Sequence, residues 1–356
     1  MRPLYNFSAG PAMLDPEVMR QIQAELLDYK GSGMSIMEMS HRSALFEAVV
    51  NDAKENIRKL MKIPETYEIL FLQGGASLQF SMIPMNLMHT HKRAAYLNSG
   101  VWSQKAIDEA KRHGEVIIVG DNANMDYKAL PISDVLPVDL DYAYYVSNNT
   151  IYGTQFKQIP LDHPVLIADM SSDIMSKQID VSKHALIFAG AQKNLGIAGV
   201  TVVILRKDLI RKDVDVDTML NYATHAKANS LYNTPASFSL YVLKKVTDWL
   251  CDLGLDTIEK RNEMKANWLY TAIDASQVFT NDIKKEDRSL MNVVFTTKDS
   301  KMDDDFIAFA KTYGCLNIKG YRSVGGMRAS LYNAMPIEGV KRLVEAMEAF
   351  EKQVKQ

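Results

Sequence analysis

Residues 164–206 read PVLIADMSSDIMSKQIDVSKHALIFAGAQKNLGIAGVTVVILR. Three short apolar runs lie in this stretch, at 165–168, 185–189 and 199–205, each rich in Val, Ile or Leu and bounded by polar residues or glycine. Buried strands have that length and composition. The first run ends on an acid, Asp169. The second ends on Gly-Ala-Gln-Lys, with Lys193 following Asp169 by 24 residues. An acid and a lysine, each just past a buried strand, can converge at one rim of a sheet, where α/β proteins place ligands. A lysine amine forms a Schiff base with an aldehyde cofactor once burial lowers its pKa. A carboxylate facing a pyridine nitrogen keeps that nitrogen protonated, and pyridoxal phosphate chemistry uses both groups. The pair alone would serve equally as a salt bridge at a strand end.

Composition narrows the alternatives. The chain has 356 residues, enough for two domains, and its 47% hydrophobic and 24% charged content is that of an ordinary soluble protein. A formal net charge of −2 gives no general attraction to nucleic acid. No apolar run approaches the roughly 20 residues of a membrane span, and the N-terminal MRPLYNFSAGPAML has no continuous apolar signal core. Cys251 and Cys315 are too few for a disulfide framework or a cysteine-rich zinc site, and a reducing cytoplasm is expected.

Outward from the central stretch, strand and helix patterns alternate from 68 to 205, which predicts a mainly parallel sheet covered on both faces. A strand at 68–72 runs into Gly74-Gly75-Ala76-Ser77 and then a helical pattern. Small residues there let helix N-terminal amides reach one phosphate, although a tight strand–helix turn has the same composition. There is neither a G-x-G-x-x-G fingerprint nor a P-loop ending. Trp102 falls at a helix start, as core or as a ring-stacking surface. A strand over Tyr142–Val146 leads to Thr150, a hydroxyl donor or a turn cap. Asp15-Pro16 starts a helix that Gly31 and Gly33 are expected to stop. His41 and Arg42 precede the next helix as an anion-binding or a solvated pair. Residues 212–234 read as a long irregular loop. Helices follow from Pro235 to about Leu253 and over Leu255–Ala275. The last eighty or so residues form an α+β pattern in which Arg322 and Arg328 flank Gly325-Gly326, and arginine is suited to forked recognition of carboxylate or phosphate.

Taken in order, NFSAGPAML, GMSIMEMSHRS, QGGASLQF, GVW, AGAQKN, YNTP and GGMRASLYNAMP resemble the phosphoserine aminotransferases, a group within the class-V, fold-type I pyridoxal phosphate enzymes. The likeness spans essentially the whole chain. It implies an α/β fold: a mainly parallel seven-stranded sheet flanked by helices in a large domain, 16–258, and a small α+β domain made of 1–15 and 259–356. It implies pyridoxal 5'-phosphate carried on Lys193, with Asp169 at the ring nitrogen. Trp102 would stack on the ring and Thr150 would bond near its hydroxyl. Ala76, Ser77 and Gln192 would cradle the phosphate, with Asn233 and Thr234 reaching it from the second subunit of a homodimer. Arg328 would fork onto the substrate α-carboxylate, and His41, Arg42 and Arg322 would hold the distal phosphate or carboxylate. The implied reaction exchanges an amino group between glutamate and 3-phosphooxypyruvate, giving phosphoserine, with 4-phosphooxy-threonine as a further substrate of some relatives. A related transaminase acting on unphosphorylated serine remains the alternative. Two positions depart from the pattern: Tyr321 stands where many relatives have histidine, and Ser77 where some have arginine. Cys315, between a helix and a strand, reads as structural, which argues against a cysteine desulfurase.

Overall fold

The computed structural model describes residues 3–133 and 135–355. The chain opens with the short strand β1 (Tyr5–Asn6) and the helix α1 (Pro16–Glu25). Asp15 caps α1 by accepting from the Glu17 amide, and Pro16 takes the first turn. The helix ends at Glu25, ahead of the glycines expected to stop it. The chain leaves the helical path so that Tyr29 can bury its ring edge-on against Tyr241, 5.5 Å between centroids. Next come α2 (Ala44–Met61), β2 (Tyr67–Leu72), α3 (Gly75–Leu87), β3 (Arg93–Asn98), α4 (Val101–Ala110), β4 (Glu115–Asp121), β5 (Tyr142–Val146), β6 (Leu166–Asp169), β7 (Leu186–Gly190) and β8 (Thr201–Arg206).

These strands form a seven-stranded sheet in the order β2-β8-β7-β6-β5-β3-β4. Only β8 runs against its neighbours; the pairs from β7 through β4 are parallel. Residue alternation sends side chains to both faces. Ile69, Phe71, Tyr145 and Ala168 pack with α2 and α6 (Ser237–Leu253), whereas Leu70, Leu72, Tyr144 and Ile167 pack with α3 and α4. Burial on both sides explains the nearly unbroken apolar runs of the sequence.

The stretch expected to be irregular, 212–234, contains a helix, α5 (Tyr222–Lys227). Asn221 caps it by accepting from the Ala223 amide at 2.8 Å, and buried Tyr222 donates to Gln79 Oε1 at 2.7 Å. Six residues anchored by one ring leave too short an apolar period to read from sequence.

After α6, helix α7 (Leu255–Ala275) changes allegiance along its length. Leu255 and Ile258 belong to the core of the large sheet, while Ala266, Leu269, Tyr270 and Ile273 belong to a separate core. That second core is built on β9 (Phe279–Thr280), β10 (Asn292–Thr297), α8 (Asp303–Thr312), β11 (Cys315–Leu316), β12 (Met327–Ser330) and α9 (Ile337–Val354). The order β12-β10-β9 is antiparallel, and β1 returns to pair with β11 in parallel, bringing Tyr5 and Phe7 into the same core. Residues 1, 2 and 356 of the small unit expected from the sequence lie outside the described residues. Among the described residues no helix is long and apolar enough to cross a membrane.

Candidate active site

β6 and β7 deliver the acid and the lysine to one rim. Asp169 is the last residue of β6 and is buried, with the Ser171 amide donating to Oδ1 at 2.9 Å. Lys193 lies three residues beyond β7, in a turn closed by the Leu195 amide bonding the Ala191 carbonyl at 3.1 Å. The next side chain locks that turn from both directions. Asn194 donates to the Ile174 carbonyl at 3.1 Å and accepts from the Asn333 amide at 3.0 Å. Lys193 and Asp169 line one cavity of about 300 Å³, together with Ala76, Ser77, Trp102, Thr150, Gln192, Tyr321 and Arg328.

The two groups perturb each other. Burial brings the Lys193 amine down to about 8; Asp169 opposes that shift and Arg328 adds to it. Burial also raises the Asp169 carboxyl, against the Ser171 hydrogen bonds and the charge of Lys193. A lysine so placed is neutral about a tenth of the time at pH 7, far more than a solvated lysine, and a nucleophile or proton carrier needs that neutral fraction.

The phosphate-sized corner follows from one backbone conformation. Gly74 has φ +88°, and a Cβ there would meet Leu78 at 2.6 Å, so glycine alone allows α3 to start where it does. Gly74 brings no capping side chain, which leaves the first-turn amides of α3 for a ligand. Ala76 and Ser77 sit in that turn, against the cavity.

On the opposite wall the Trp102 indole donates from Nε1 to Thr150 Oγ1 at 3.0 Å. The Thr150 hydroxyl, accepting there, keeps its own proton to donate. Arg328, on β12, is half-buried and donates from Nη1 to the Thr150 carbonyl at 3.0 Å, while its buried Nε has no partner. A half-buried guanidinium with a buried, unused donor beside a cavity is prepared for an anion.

The remaining residues singled out from the sequence do not meet this cavity within one chain. Asn233 and Thr234 lie beyond Gly74; Asn233 Nδ2 and Gln73 Nε2 both donate to the Thr234 carbonyl, at 3.2 and 3.3 Å. Asn233 lines a different cavity, beside Gln73 and Gly74. His41 and Arg42 form the turn ahead of α2, His41 with an unpartnered buried Nε2 and Arg42 exposed. Arg322 is exposed at the tip of a hairpin whose Tyr321 does line the site.

Sequence reading missed the support behind Asp169. Asp173 follows four residues later, half-buried, and desolvation raises its carboxyl. The Ser147 hydroxyl donates to Asp173, the Ser147 amide donates to the Asp169 carbonyl at 3.0 Å, and Gln155 Nε2 donates to Asp173 at 3.1 Å. The paired acids of DMSSD were the available signal. Cys315 is buried and its thiol is pushed up to about 12 by burial, as suits a structural residue. Among the described residues no group of acids, histidines and cysteines could hold a metal ion.

The family model for aminotransferase class-V matches residues 4–343. The chain is 51% identical to a Bacillus cereus phosphoserine aminotransferase over 99% of both proteins. Its fold superposes on the phosphoserine aminotransferase of Bacillus circulans subsp. alkalophilus with a TM-score of 0.96, at 43% identity and 99% coverage of each chain. A phosphoserine aminotransferase from Trichomonas vaginalis, solved with pyridoxal phosphate bound, gives 0.93 at 41% identity, covering 97% of this chain and 100% of that one.

Proposed function

The chain belongs to the class-V aminotransferase family, and on that basis we propose that it is a phosphoserine transaminase. It moves the amino group of L-glutamate reversibly to 3-phosphooxypyruvate, giving O-phospho-L-serine and 2-oxoglutarate for serine biosynthesis. The single observation that carries this reading is the lysine of lowered pKa sharing a cavity with a buried acid and a half-buried, incompletely paired arginine.

Pyridoxal 5'-phosphate is the cofactor, and the residues present fit it. Lys193 supplies the amine, Asp169 the acid for the ring nitrogen, Trp102 the flat face and Thr150 a free hydroxyl proton. Ala76 and Ser77 offer α3 amides to the phosphate, with Gln192 alongside. When bound, the cofactor supplies an aldehyde on an electron-withdrawing ring that acidifies the substrate α-carbon. Lys193 Nζ would take the proton from that carbon as a general base and deliver it, as a general acid, to the carbon that had carried the cofactor aldehyde, with a pKa near its operating range. Asp169 would keep the ring nitrogen protonated. Arg328 would turn Nε and its free nitrogens to the substrate α-carboxylate, which would fix the α-carbon within reach of Lys193.

The distal anion is met by His41, Arg42 and Arg322, a cationic group able to accept a phosphate or the glutamate carboxylate in turn. The same group would admit 4-phosphooxy-L-threonine. The enzyme works as a homodimer with sites at the twofold interface, Asn233 and Thr234 crossing to the other copy's cofactor phosphate. Support comes from Leu27, Met34, Met37 and Leu45, apolar and exposed on either side of His41 and Arg42. We divide the chain into a large unit, 16–258, and a small unit of 1–15 with 259–356; the change of core along α7 supports that boundary. A cytoplasmic location goes with two free cysteines.

The test is a transamination assay with O-phospho-L-serine, 4-phosphooxy-L-threonine and plain L-serine side by side, 2-oxoglutarate as acceptor. Phosphoserine should be transaminated far faster than serine. A preference for plain serine would replace this reading with that of an unphosphorylated-substrate transaminase.

A further inference from the structure

The N-terminal segment runs from the second core to the turn that carries Lys193. Phe7 belongs to that core, and its carbonyl accepts from the Ser330 amide at 3.1 Å. Further along, the Ala12 amide donates to the Gln192 carbonyl at 2.9 Å. Between these two points Ala9 and Gly10 line the site cavity. A Cβ on Gly10 would stand 3.5 Å from Cγ of Lys193, so the backbone there lies against the lysine stem. Residues 9–12 thus form a strap over the turn that presents Lys193.

The strap has no regular structure, and Gly10 and Pro11 are exposed. Such a segment opens readily unless something fixes it. Tyr332, two residues past β12, supplies a hold: its hydroxyl donates to the Ala9 carbonyl at 2.7 Å. The phenol is buried and is itself fixed. It accepts from Asn292 Nδ2 at 3.2 Å, and Asn292 Oδ1 accepts from Asn148 Nδ2 at 2.8 Å. Asn292 belongs to β10 of the second core, and Asn148 lines the site cavity, so the anchor is tied to both units.

We propose that Tyr332 is a positioning residue for proton transfer by Lys193: its hydroxyl pins the 9–12 strap, and the strap keeps the lysine stem aligned with the substrate α-carbon. The inference rests on the proposed function, because it needs Lys193 to move that proton.

The test compares Tyr332→Phe and Gly10→Ala with wild type, all as holoenzyme. Tyr332→Phe keeps the ring and removes one neutral hydrogen bond, so kcat for phosphoserine should fall about five-fold with KM nearly unchanged. The isotope effect on kcat with α-deuterated phosphoserine should rise, because removal of that hydrogen is the slowed step. Hydrogen exchange at the Ala12 amide should quicken while the amides of β10 and β12 stay protected. Gly10→Ala strains the strap itself, since Gly10 has φ +144°, and the position is exposed, so both cores stay intact. It should reproduce the lower kcat and the larger isotope effect with Tyr332 untouched. A kcat close to wild type in both variants, a loss carried by KM, a lower kcat without a larger isotope effect, or exchange that quickens throughout the second core overturns the proposal while leaving the proposed function intact. A wild-type protein unable to transaminate phosphoserine overturns both.

Discussion

Arg328 donates from Nη1 to the backbone carbonyl of Thr150 at 3.0 Å, so the guanidinium on β12 is held by the same residue whose hydroxyl holds the Trp102 indole. A strand of the second core and a turn of the large sheet are thus joined at the site. The site depends on both units keeping their relative position.

Replacing Arg328 tests that joint. Arg328→Ala removes the proposed carboxylate grip and leaves the Thr150 carbonyl without its donor. Truncating one partner of a buried charge pair costs about 2–5 kcal/mol, so kcat/KM should fall by at least about 30-fold. The loss should be similar for glutamate and phosphoserine, because both carry the α-carboxylate. Arg328→Lys keeps the charge without the fork and should recover only part of the activity. Steady-state kinetics with both substrates decide it, and a loss confined to one of them would remove Arg328 from the carboxylate.

Lys193 makes a pH prediction with a defined sign. Only the neutral amine bonds an aldehyde, and this amine titrates near 8 in place of about 10.4. Cofactor uptake by protein stripped of it should rise with pH, roughly ten-fold per unit, and level off above about 8. The charge of Asp169 raises the amine's pKa, so Asp169→Asn should move that midpoint down. Arg328 lowers it, so Arg328→Gln should move it up. Stopped-flow absorbance against pH reads all three, and a midpoint near 10 would show that Lys193 is not desolvated.

The large sheet was legible because its strands are buried on both faces and end in informative residues. Asp169 and Lys193 could be read from strand length and position alone, and the structure places them on one cavity. The arrangement of Trp102, Thr150 and Arg328 could not. Their contacts span 48 and 178 residues of sequence, and no local period encodes contacts of that range. Asp173 was hidden for a related reason, since its meaning comes from Ser147 and Gln155 on another segment. α5 was lost because one buried tyrosine, not a repeating stripe, anchors it.

Among the described residues Lys265 is a buried cation with no acid partner. It donates to the carbonyls of Leu331 and Tyr332 at 2.6 and 2.7 Å, just past the strand that carries Arg328. Burial lowers it to about 7, with Arg261 adding to the shift. The folded pKa lies below the unfolded one, so the unfolded chain binds the extra proton between about pH 7 and 10, and stability rises with pH across that window. Lys265→Met should remove this component of the slope. It should also cost about 1–3 kcal/mol near neutrality, because two carbonyls lose their donor. Urea unfolding at several pH values, wild type against variant, measures both effects.

Tyr321, which the family resemblance marks as standing in place of an expected histidine, lines the site. A neutral phenol offers one hydrogen bond and no charge, whereas imidazole adds charge as pH falls through about 6.5. Tyr321→His should therefore lower KM for 3-phosphooxypyruvate, and more so at pH 6 than at pH 8. An unaltered KM at both would mean that position 321 does not meet the phosphate.

Subunit sharing makes the last prediction. Asn233 and Thr234 stand away from their own chain's cavity, and each donates or accepts only within the loop that follows β2 and its neighbour. If they serve the other copy, a Lys193→Ala chain and an Asn233→Ala/Thr234→Ala chain fail for different reasons. Paired in one dimer, the two concentrate their defects. The site built on the Lys193→Ala chain, with the loop of the double variant opposite it, carries every substitution, and the other site is wholly native. Equal mixing after dissociation should give such heterodimers in about half the population, each with one working site, and so recover about a quarter of wild-type activity. If Asn233 and Thr234 acted within their own chain, the mixed dimer would hold one defect in each site. Mixing would then recover nothing, which separates the two arrangements without a structure of the complex.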